Sequence, residues 1–412
     1  MISQGLDPGN VVSPRRSGIG LSFPLTRVNL IRFLMLAGSL CDDVACLSAA
    51  SCMTWWSQDL GNAQLGAVIR LILWRVWLAS LLGTLIVDDA LLTPISFFSP
   101  HWQFVSYGCV SISTIVATAY DTLGESGLEH SLNEPGCVGL FTNADLLPVV
   151  AKVLKNVPSI RVVLYDGEPK EDVLATITGA REGVTVLSLD ALREMGRSEP
   201  AELAESRIPS SDDVACIMYT SGTTGAPKGV VIKHSNLIPS IGSVMTLVGH
   251  HLQPGDSYLA FLPLAHILEY VVELCFVFAG MCSGFARVKT LTDQSVRNCQ
   301  GDIKAFRPSI MVGVPMIWEN IRKGIIQQVN KSGALRKSMF NGAMSIKKNN
   351  VPVLKGVVDS VVFSKIRDVT GGRLRLALSG GAALSRETQE FLTTALVTVV
   401  QGATSNDGCG LD

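Results

Sequence analysis

The first hundred residues of this 412-residue chain contain no lysine and no glutamate, whereas residues 101–412 contain 14 lysines and 15 glutamates. The same segment holds four of the six tryptophans, at positions 55, 56, 74 and 77. Lysine and glutamate are among the commonest residues of globular domains, so a segment without either differs in kind from the rest of the chain. One interpretation is that this segment comes from an unusual exon or an erroneous gene prediction.

Within that segment, the apolar run at residues 65–87 is long enough to cross a bilayer, which takes about 20 residues. It contains Arg70 and Arg75, and an arginine at the centre of a spanning helix costs roughly 2.5 to 3.5 kcal/mol. Both lie towards its first half, where their side chains can reach the interface. A spanning helix and an interfacial helix therefore both remain open. Residues 1–96 are predicted to form an atypical apolar segment that packs poorly on the rest.

The chain also lacks a charge imbalance and the cysteine spacing of a zinc site. Its formal net charge is −1, so we expect no nucleic-acid partner. Its ten cysteines include no C-x-x-C motif, a distribution typical of buried thiols in a reducing compartment. Only 17% of the residues are charged, below the roughly 25% of soluble domains, which indicates association with a membrane.

From about residue 101 the sequence pattern is that of an α/β protein. Residues 120–134 predict a turn followed by an amphipathic helix. Residues 138–167 predict a strand, a helix and a second strand, separated by Asn143 and Pro158. Such βαβ units build parallel sheets. Residues 195–213 are polar and predict a loop or linker.

The stretch YTSGTTGAPKGVV, residues 219–231, combines three glycines, four Ser or Thr hydroxyls and one lysine. Glycines let backbone N–H groups approach an anion, and the hydroxyls and the lysine add further donors. A plain turn is the alternative, although it rarely needs so many donors. A Walker A loop is excluded, because Lys228 follows Pro227 and precedes Gly229 instead of standing between Gly and Ser or Thr. We predict that Tyr219 to Gly229 form a polyphosphate-binding loop between two strands.

This stretch resembles the signature of the AMP-binding, adenylate-forming enzymes, which include acyl-CoA synthetases, luciferases and peptide-synthetase adenylation domains. LPLAHILE (262–269), IMVGVPMIWENI (310–321) and LRLALSGGAALS (374–385) resemble further motifs of that family. Residues 99–134 resemble its long-chain fatty-acyl-CoA synthetase branch, most closely the fungal forms. The resemblance covers about residues 97–402 and does not include the residues before them.

The resemblance implies an α/β fold for residues 97–412: the large N-terminal domain of an adenylate-forming enzyme, with parallel sheets flanked by helices. This domain would be incomplete, and the small C-terminal domain of the family absent. The implied phosphate loop of the ATP site is Thr220, Ser221, Gly222, Thr223, Thr224, Gly225 and Lys228. The implied adenine loop is Ser379, Gly380, Gly381, Ala382 and Ala383. Ser385 is predicted to cap the next helix.

His266 is the residue that the resemblance places beside an acyl pocket. On its own, a histidine at such a position is more often a buried structural residue. The implied chemistry has two steps. A long-chain fatty-acid carboxylate attacks the α-phosphate of ATP, giving an acyl-adenylate and pyrophosphate, and the thiolate of coenzyme A then displaces AMP. The resemblance implies Mg²⁺ bridging the phosphates. It also implies an intracellular, membrane-associated protein, at the endoplasmic reticulum or a lipid droplet.

The sequence departs from the family pattern after the strand predicted at residues 396–402. The family has a Tyr-Gly-x-Thr-Glu motif there, whose Thr binds phosphate and whose Glu holds Mg²⁺, and this chain reads ATSNDGCGLD. The ribose-binding Asp and the catalytic Lys also have no counterpart, so no catalytic or metal-binding residue is assigned. We expect a truncated form that binds ATP weakly and makes little or no acyl-CoA. The alternatives are a non-catalytic nucleotide- or acyl-binding remnant with a regulatory role, and a membrane-anchored interaction protein.

Overall fold

The computed structural model describes residues 91–95 (as backbone only), 100–119, 123–197, 207–220, 227–349 and 352–402. The apolar run at residues 65–87 and the four tryptophans of the amino-terminal segment lie outside these ranges.

Seven strands form the first sheet. In chain order they are β1 (Leu91–Ile95), β2 (Ile115–Thr118), β3 (Gly139–Asn143), β4 (Val162–Asp166), β5 (Thr185–Ser188), β6 (Val214–Thr220) and β7 (Lys228–Lys233). Their spatial order is β5-β4-β3-β1-β2-β6-β7, and every neighbouring pair is parallel except β6 and β7, which are antiparallel. In β4, Val162, Val163 and Leu164 are consecutive apolar residues and all are buried, as expected for a parallel sheet whose two faces are covered by helices.

Helices connect these strands. They are α1 (Pro100–Ser111), α2 (Gly124–Asn133), α3 (Leu147–Val153), α4 (Glu171–Ala180) and α5 (Leu189–Arg197). The helix predicted within residues 120–134 is confirmed by α2, and the βαβ unit predicted at 138–167 is confirmed by β3, α3 and β4. Because α5 continues to Arg197, it takes up the first three residues of the linker predicted at 195–213.

The strand β1 lies inside the first sheet, between β2 and β3. Leu91 and Leu92 pair with Ile115 and Val116 of β2, and residues 92–95 pair with residues 139–142 of β3. The sheet therefore begins at Leu91, before residue 97, where the sequence placed the start of the domain. Nothing in the composition separates this short strand from the apolar residues that precede it.

Five strands form the second sheet, and all of its pairs are parallel. The strands are β8 (Ser257–Ala260), β9 (Cys282–Phe285), β10 (Ile310–Gly313), β11 (Leu376–Ser379) and β12 (Thr398–Gln401). Their spatial order is β12-β11-β10-β8-β9. The chain therefore has the predicted α/β fold with parallel sheets flanked by helices.

Eight helices belong to this second half of the described chain. They are α6 (His234–Val248), α7 (Ile267–Phe278), α8 (Asp302–Phe306), α9 (Pro315–Lys331), α10 (Ala334–Lys348), α11 (Pro352–Val358), α12 (Ser364–Arg367) and α13 (Arg386–Ala395). A π-helical turn, Asp359–Phe363, joins α11 to α12. Across the ranges that the structure describes, no helix combines the length and the apolar character that crossing a bilayer requires.

The helix α7 connects the cores of the two sheets. Its residues Tyr270 and Leu274 are buried in the cluster that includes Trp102 and the first sheet. Its residues Val272 and Phe276 are buried against the second sheet. Because opposite sides of α7 are apolar, the helix is buried all round, and the loop that precedes it is fixed between the two sheets.

Candidate functional site

The carboxyl edge of the second sheet brings three of the sequence motifs together. LPLAHILE begins two residues after β8, GVPMIWENI begins at the last residue of β10, and SGGAALS begins at the last residue of β11. In the spatial order of the strands, β9 lies on one side of the adjacent pair β8 and β10, whereas β11 and β12 lie on the other side. The direction in which the chain adds strands therefore reverses between β8 and β10. A crevice outside the carboxyl ends of the strands is expected at such a switch point, and it is where ligands of open α/β sheets bind.

The loop after β11 exposes bare backbone at this edge. The Gly380 N–H donates to the Gly313 carbonyl over 3.1 Å, which joins this loop to the end of β10. Gly381 has φ +79°, a conformation that favours glycine, and it is exposed together with Ala382 and Ala383. The result is a ledge of small residues that a flat ring can approach closely. The assignment of Ser379 to Ala383 as an adenine loop stays a prediction.

The far end of that loop is fixed by a helix cap and by β12. The Ser385 hydroxyl accepts from the Thr388 N–H over 3.3 Å, which confirms the predicted cap of α13. The Leu384 N–H donates to the side chain of Gln401 over 3.2 Å, and the Gly402 N–H donates to the Ser379 carbonyl over 2.9 Å. The ledge is therefore held from both sides.

The residue His266 stands at the amino terminus of α7. Its Nδ1 accepts a hydrogen bond from the Leu268 N–H over 3.2 Å, so the neutral ring carries its proton on Nε2. The ring is half-buried, and burial lowers the pKa of His266. A neutral imidazole with an Nε2–H donor is what this position offers to a carboxylate or phosphate oxygen. The acyl-pocket role of His266 stays a prediction.

The first sheet meets this site at the carboxyl end of β2. Thr118 pairs with Met218 of β6, so the loop that follows β6 leaves the sheet beside Thr118. The Thr118 hydroxyl donates to the carbonyl of Ala265, the residue before His266, over 3.4 Å. The glycine-rich loop and His266 therefore start from adjoining points of the two sheets.

The structure confirms that the glycine-rich loop joins two strands, since β6 ends at Thr220 and β7 begins at Lys228. The predicted Tyr219 and Gly229 boundaries of that loop fall within the paired strands. Lys228 is exposed at the start of β7. Ser221, Gly222, Thr223, Thr224 and Gly225, together with the side chain of Thr220, lie outside the described part of the chain, so their phosphate-binding role stays a prediction.

His130 of α2 and Glu134, the residue that follows α2, hold both ends of this loop. We call the group formed by His130, Glu134 and Tyr219 the α2 clamp. The Tyr219 hydroxyl donates to Glu134 Oε2 over 2.7 Å at the end of β6. His130 Nε2 lies 3.1 Å from the carbonyl of Pro227, the residue before β7, and 3.6 Å from Glu134 Oε2. Since the nitrogen bonded to a carbonyl must be the donor, His130 carries a proton on Nε2.

No sequence motif indicated this clamp. Glu134 and His130 precede their partners by 85 and 97 residues, and no motif connects them to the loop. The only available signal is their spacing, since residues four apart lie on one side of a helix.

Two glutamates of α7 were also missed, because an acidic residue in a helix is ordinarily expected at the surface. Glu269 and Glu273 are both fully buried. The Tyr258 hydroxyl lies 2.7 Å from each oxygen of the Glu269 carboxyl, whereas neither Glu273 oxygen has a hydrogen-bond partner among the described residues. Burial raises the pKa of both carboxyls, and the negative charge of Glu269 raises the pKa of Glu273 further. The pair is therefore kept largely protonated between the two sheets.

No group of three His, Cys, Asp or Glu side chains is placed to hold a metal ion within the residues that the structure describes. The Mg²⁺ implied by the resemblance is thus not matched by a set of protein ligands in those ranges. We assign no residue to it and derive no chemical step from it.

Comparison with known proteins identifies what this fold and these motifs resemble. The model of the AMP-binding enzyme family matches residues 95–407. The chain is 42% identical over 310 residues to long-chain-fatty-acid–CoA ligase 1 of Schizosaccharomyces pombe, covering 74% of this chain and 45% of that protein. It is 38% identical over 340 residues to long-chain-fatty-acid–CoA ligase 1 of Saccharomyces cerevisiae, covering 78% and 48%. The chain thus spans somewhat less than half the length of these relatives.

A solved structure agrees on the fold. The adenylation and carrier didomain of a carboxylic acid reductase from Segniliparus rugosus, in complex with AMP, superposes with a TM-score of 0.63 at 20% identity. The match covers 82% of this chain and 46% of that one.

Proposed function

The chain belongs to the AMP-binding enzyme family, and from that premise we propose that it binds ATP and a long-chain fatty acid and contributes to acyl-adenylate formation. In the first step a fatty-acid carboxylate oxygen attacks the α-phosphorus of ATP, and pyrophosphate leaves. In the second step the thiol of coenzyme A attacks the acyl carbonyl, and AMP leaves. Long-chain fatty acid and coenzyme A enter this proposal through the names of the relatives that the chain resembles.

The observation that carries the proposal is the convergence at the adjoining sheet edges. The glycine-rich loop leaves β6 beside Thr118, and the Thr118 hydroxyl bonds to the residue before His266. The exposed ledge at Gly381 is attached to the end of β10 in the same sheet as the strand before His266. A nucleotide with its base on the ledge and its phosphates at the loop would place its α-phosphate between them.

Each group then has a distinct task. The ledge binds the adenine ring by close backbone approach, and Lys228 with the loop donors offsets the charge of the departing pyrophosphate. The Nε2–H of His266 donates to an oxygen of the carboxylate or the α-phosphate and orients the two reactants.

We also propose an intracellular, membrane-associated location, at the endoplasmic reticulum or a lipid droplet. The low fraction of charged residues and the apolar substrate named for the relatives support it.

Lys228→Ala tests the nucleotide site. We expect it to weaken ATP binding on the order of tenfold, because a hydrogen bond to a charged group contributes roughly 1.5 to 3 kcal/mol. The matched control is Lys233→Ala, which removes an exposed lysine from the other end of β7. Equal affinity in the Lys228 variant and the control would contradict the phosphate-loop assignment.

Fatty-acid-dependent exchange of labelled pyrophosphate into ATP tests the chemistry. Exchange that occurs when a long-chain fatty acid is added, but not when acetate is added, supports acyl-adenylate formation. ATP binding without any exchange would instead support the non-catalytic nucleotide-binding alternative for this 412-residue chain.

A further inference from the structure

The helices α10, α11 and α12 with their π-helical turn form a segment that the proposed chemistry does not use. We call residues 334–367 the basic hairpin. It contains seven Lys or Arg residues and one Asp, which gives a net charge of +6, whereas the whole chain carries −1. Such a local excess of one charge indicates a surface that attracts an anionic partner.

The basic hairpin also exposes large apolar side chains. Twelve large hydrophobic residues are well exposed among the described residues, and five of them lie in this segment. They are Leu335 (76% exposed), Met339 (49%), Leu354 (45%), Val357 (56%) and Val361 (52%). Leu335 and Met339 are four residues apart on α10, so they lie on one side of that helix. A concentration of exposed apolar residues of this kind marks an interaction surface.

Several of the seven cationic side chains of the hairpin are exposed and take no part in its internal ion pairs. Its single acidic residue, Asp359, is paired internally with Lys347 at 2.7 Å and Arg367 at 3.4 Å. Arg336, Lys337 and Lys365 are exposed and form no ion pair with any described residue. Cations and exposed apolar side chains therefore occur together on the same short helices.

The opposite side of the hairpin is packed firmly on the second sheet. Phe340, Ala343, Phe363 and Ile366 are buried in the core cluster of that sheet. The rings of Phe340 and Phe363 meet edge to face with centroids 6.2 Å apart. Because the inner side is anchored in this way, the exposed side is a fixed surface of the fold.

We propose that the basic hairpin docks the protein on an anionic phospholipid bilayer. The exposed leucine, methionine and valine side chains enter the boundary between head groups and acyl chains, and the neighbouring Lys and Arg side chains contact the lipid phosphates. Basic residues beside exposed aliphatic ones are the pattern of an interfacial helix. The docking does not depend on the nucleotide chemistry proposed above.

Two other occupants fit the surface less well. The amino-terminal residues 1–90 contain six Arg and six Asp and no other charged residue, so they carry no net charge to complement the hairpin. A protein partner would be expected to find aromatic anchors at the centre of its binding surface, and the five exposed apolar residues include no aromatic one.

Co-sedimentation of the full 412-residue protein with vesicles tests the proposal. The vesicles contain phosphatidylcholine alone or phosphatidylcholine with phosphatidylserine, and no fatty acid or nucleotide. We expect binding to the phosphatidylserine vesicles that weakens as salt is added. Wild-type protein that sediments with neither vesicle would overturn the lipid assignment, and an acidic protein surface would then fit the charge.

A charge-reversal variant locates the surface. The triple substitution Arg336→Glu, Lys337→Glu, Lys365→Glu should reduce binding by more than about 100-fold, since each cation near an anionic surface contributes on the order of fivefold. The matched control reverses three exposed cations around the first sheet, Lys155→Glu, Arg161→Glu and Lys170→Glu. An equal loss of vesicle binding in both triple variants would show that only the net charge of the protein matters, and would overturn the docking surface. Unchanged binding of the Arg336, Lys337 and Lys365 variant would overturn it as well.

A second variant tests the apolar part without changing charge. Leu335→Gln with Met339→Gln should lower the binding that survives at high salt, because that fraction depends on apolar burial. Salt-resistant binding that persists undiminished would show that these side chains do not enter the bilayer, and would contradict the proposed mode of docking.

Discussion

Replacing Tyr219 with phenylalanine should loosen the attachment of the glycine-rich loop to α2. The substitution removes one oxygen, which donates to Glu134 over 2.7 Å, and leaves the buried ring in place. A hydrogen bond to a charged group contributes roughly 1.5 to 3 kcal/mol. The Glu134 side chain is 49% exposed, so water can replace the lost donor, and we expect the lower end, about 1.5 kcal/mol.

A double-mutant cycle isolates this contact from the other effects of each substitution. Tyr219→Phe, Glu134→Ala and the double variant are compared by urea unfolding, followed through tryptophan fluorescence. Residues in direct contact show coupling energies of roughly 0.5 to 3 kcal/mol, and we expect about 1 kcal/mol here. A coupling energy of zero would refute the clamp, because the two side chains would then act independently.

ATP affinity shows whether the clamp positions the loop or only stabilises the fold. The control is Tyr165→Phe, which removes the same atom from a half-buried tyrosine of β4 in the same sheet. We expect Tyr219→Phe to weaken ATP binding several-fold under conditions where both variants remain fully folded, and Tyr165→Phe to leave it unchanged. An unchanged ATP affinity in both would restrict the clamp to a structural role.

Further predictions concern the helix and the loop at the site. Burial raises the pKa of Glu273 above the ordinary 4.5, so the folded state keeps a proton that the unfolded state loses, and the free energy of unfolding falls as pH rises above about 4.5. Glu273→Gln should make the urea midpoint of unfolding decrease less as the pH is raised. An unchanged decrease would show that other groups cause the pH dependence. Gly381→Ala should destabilise the fold by about 1 to 2 kcal/mol, since its φ is +79°. The control Gly342→Ala, inside α10 with open space around it, should instead stabilise by roughly 0.4 to 1 kcal/mol. Ser385→Ala should cost about 1 kcal/mol in the same assay, and no loss would mean that the Thr388 N–H is satisfied otherwise.

Sequence alone determined the features that depend on neighbouring residues. The β3–α3–β4 unit follows from its apolar runs and from the breaks at Asn143 and Pro158. The Ser385 cap follows from one hydroxyl before a helix, and the loop between β6 and β7 follows from its glycines. These predictions were confirmed because local backbone preference and hydrophobic periodicity decide them within a few residues. The family could also be identified in this way, since its signature is one continuous stretch.

Tertiary structure alone decided which distant residues meet. Leu91–Ile95 is a strand because β2 and β3 pair with it on either side, and not because of its own composition. His130 and Glu134 reach the loop only once α2 packs beside the β6–β7 hairpin. Glu273 is buried because α7 is enclosed by two sheets. The sequence pattern of the helix does not predict this burial. In each case the deciding free energy comes from burial and hydrogen bonding between residues tens of positions apart, which no local window of sequence contains.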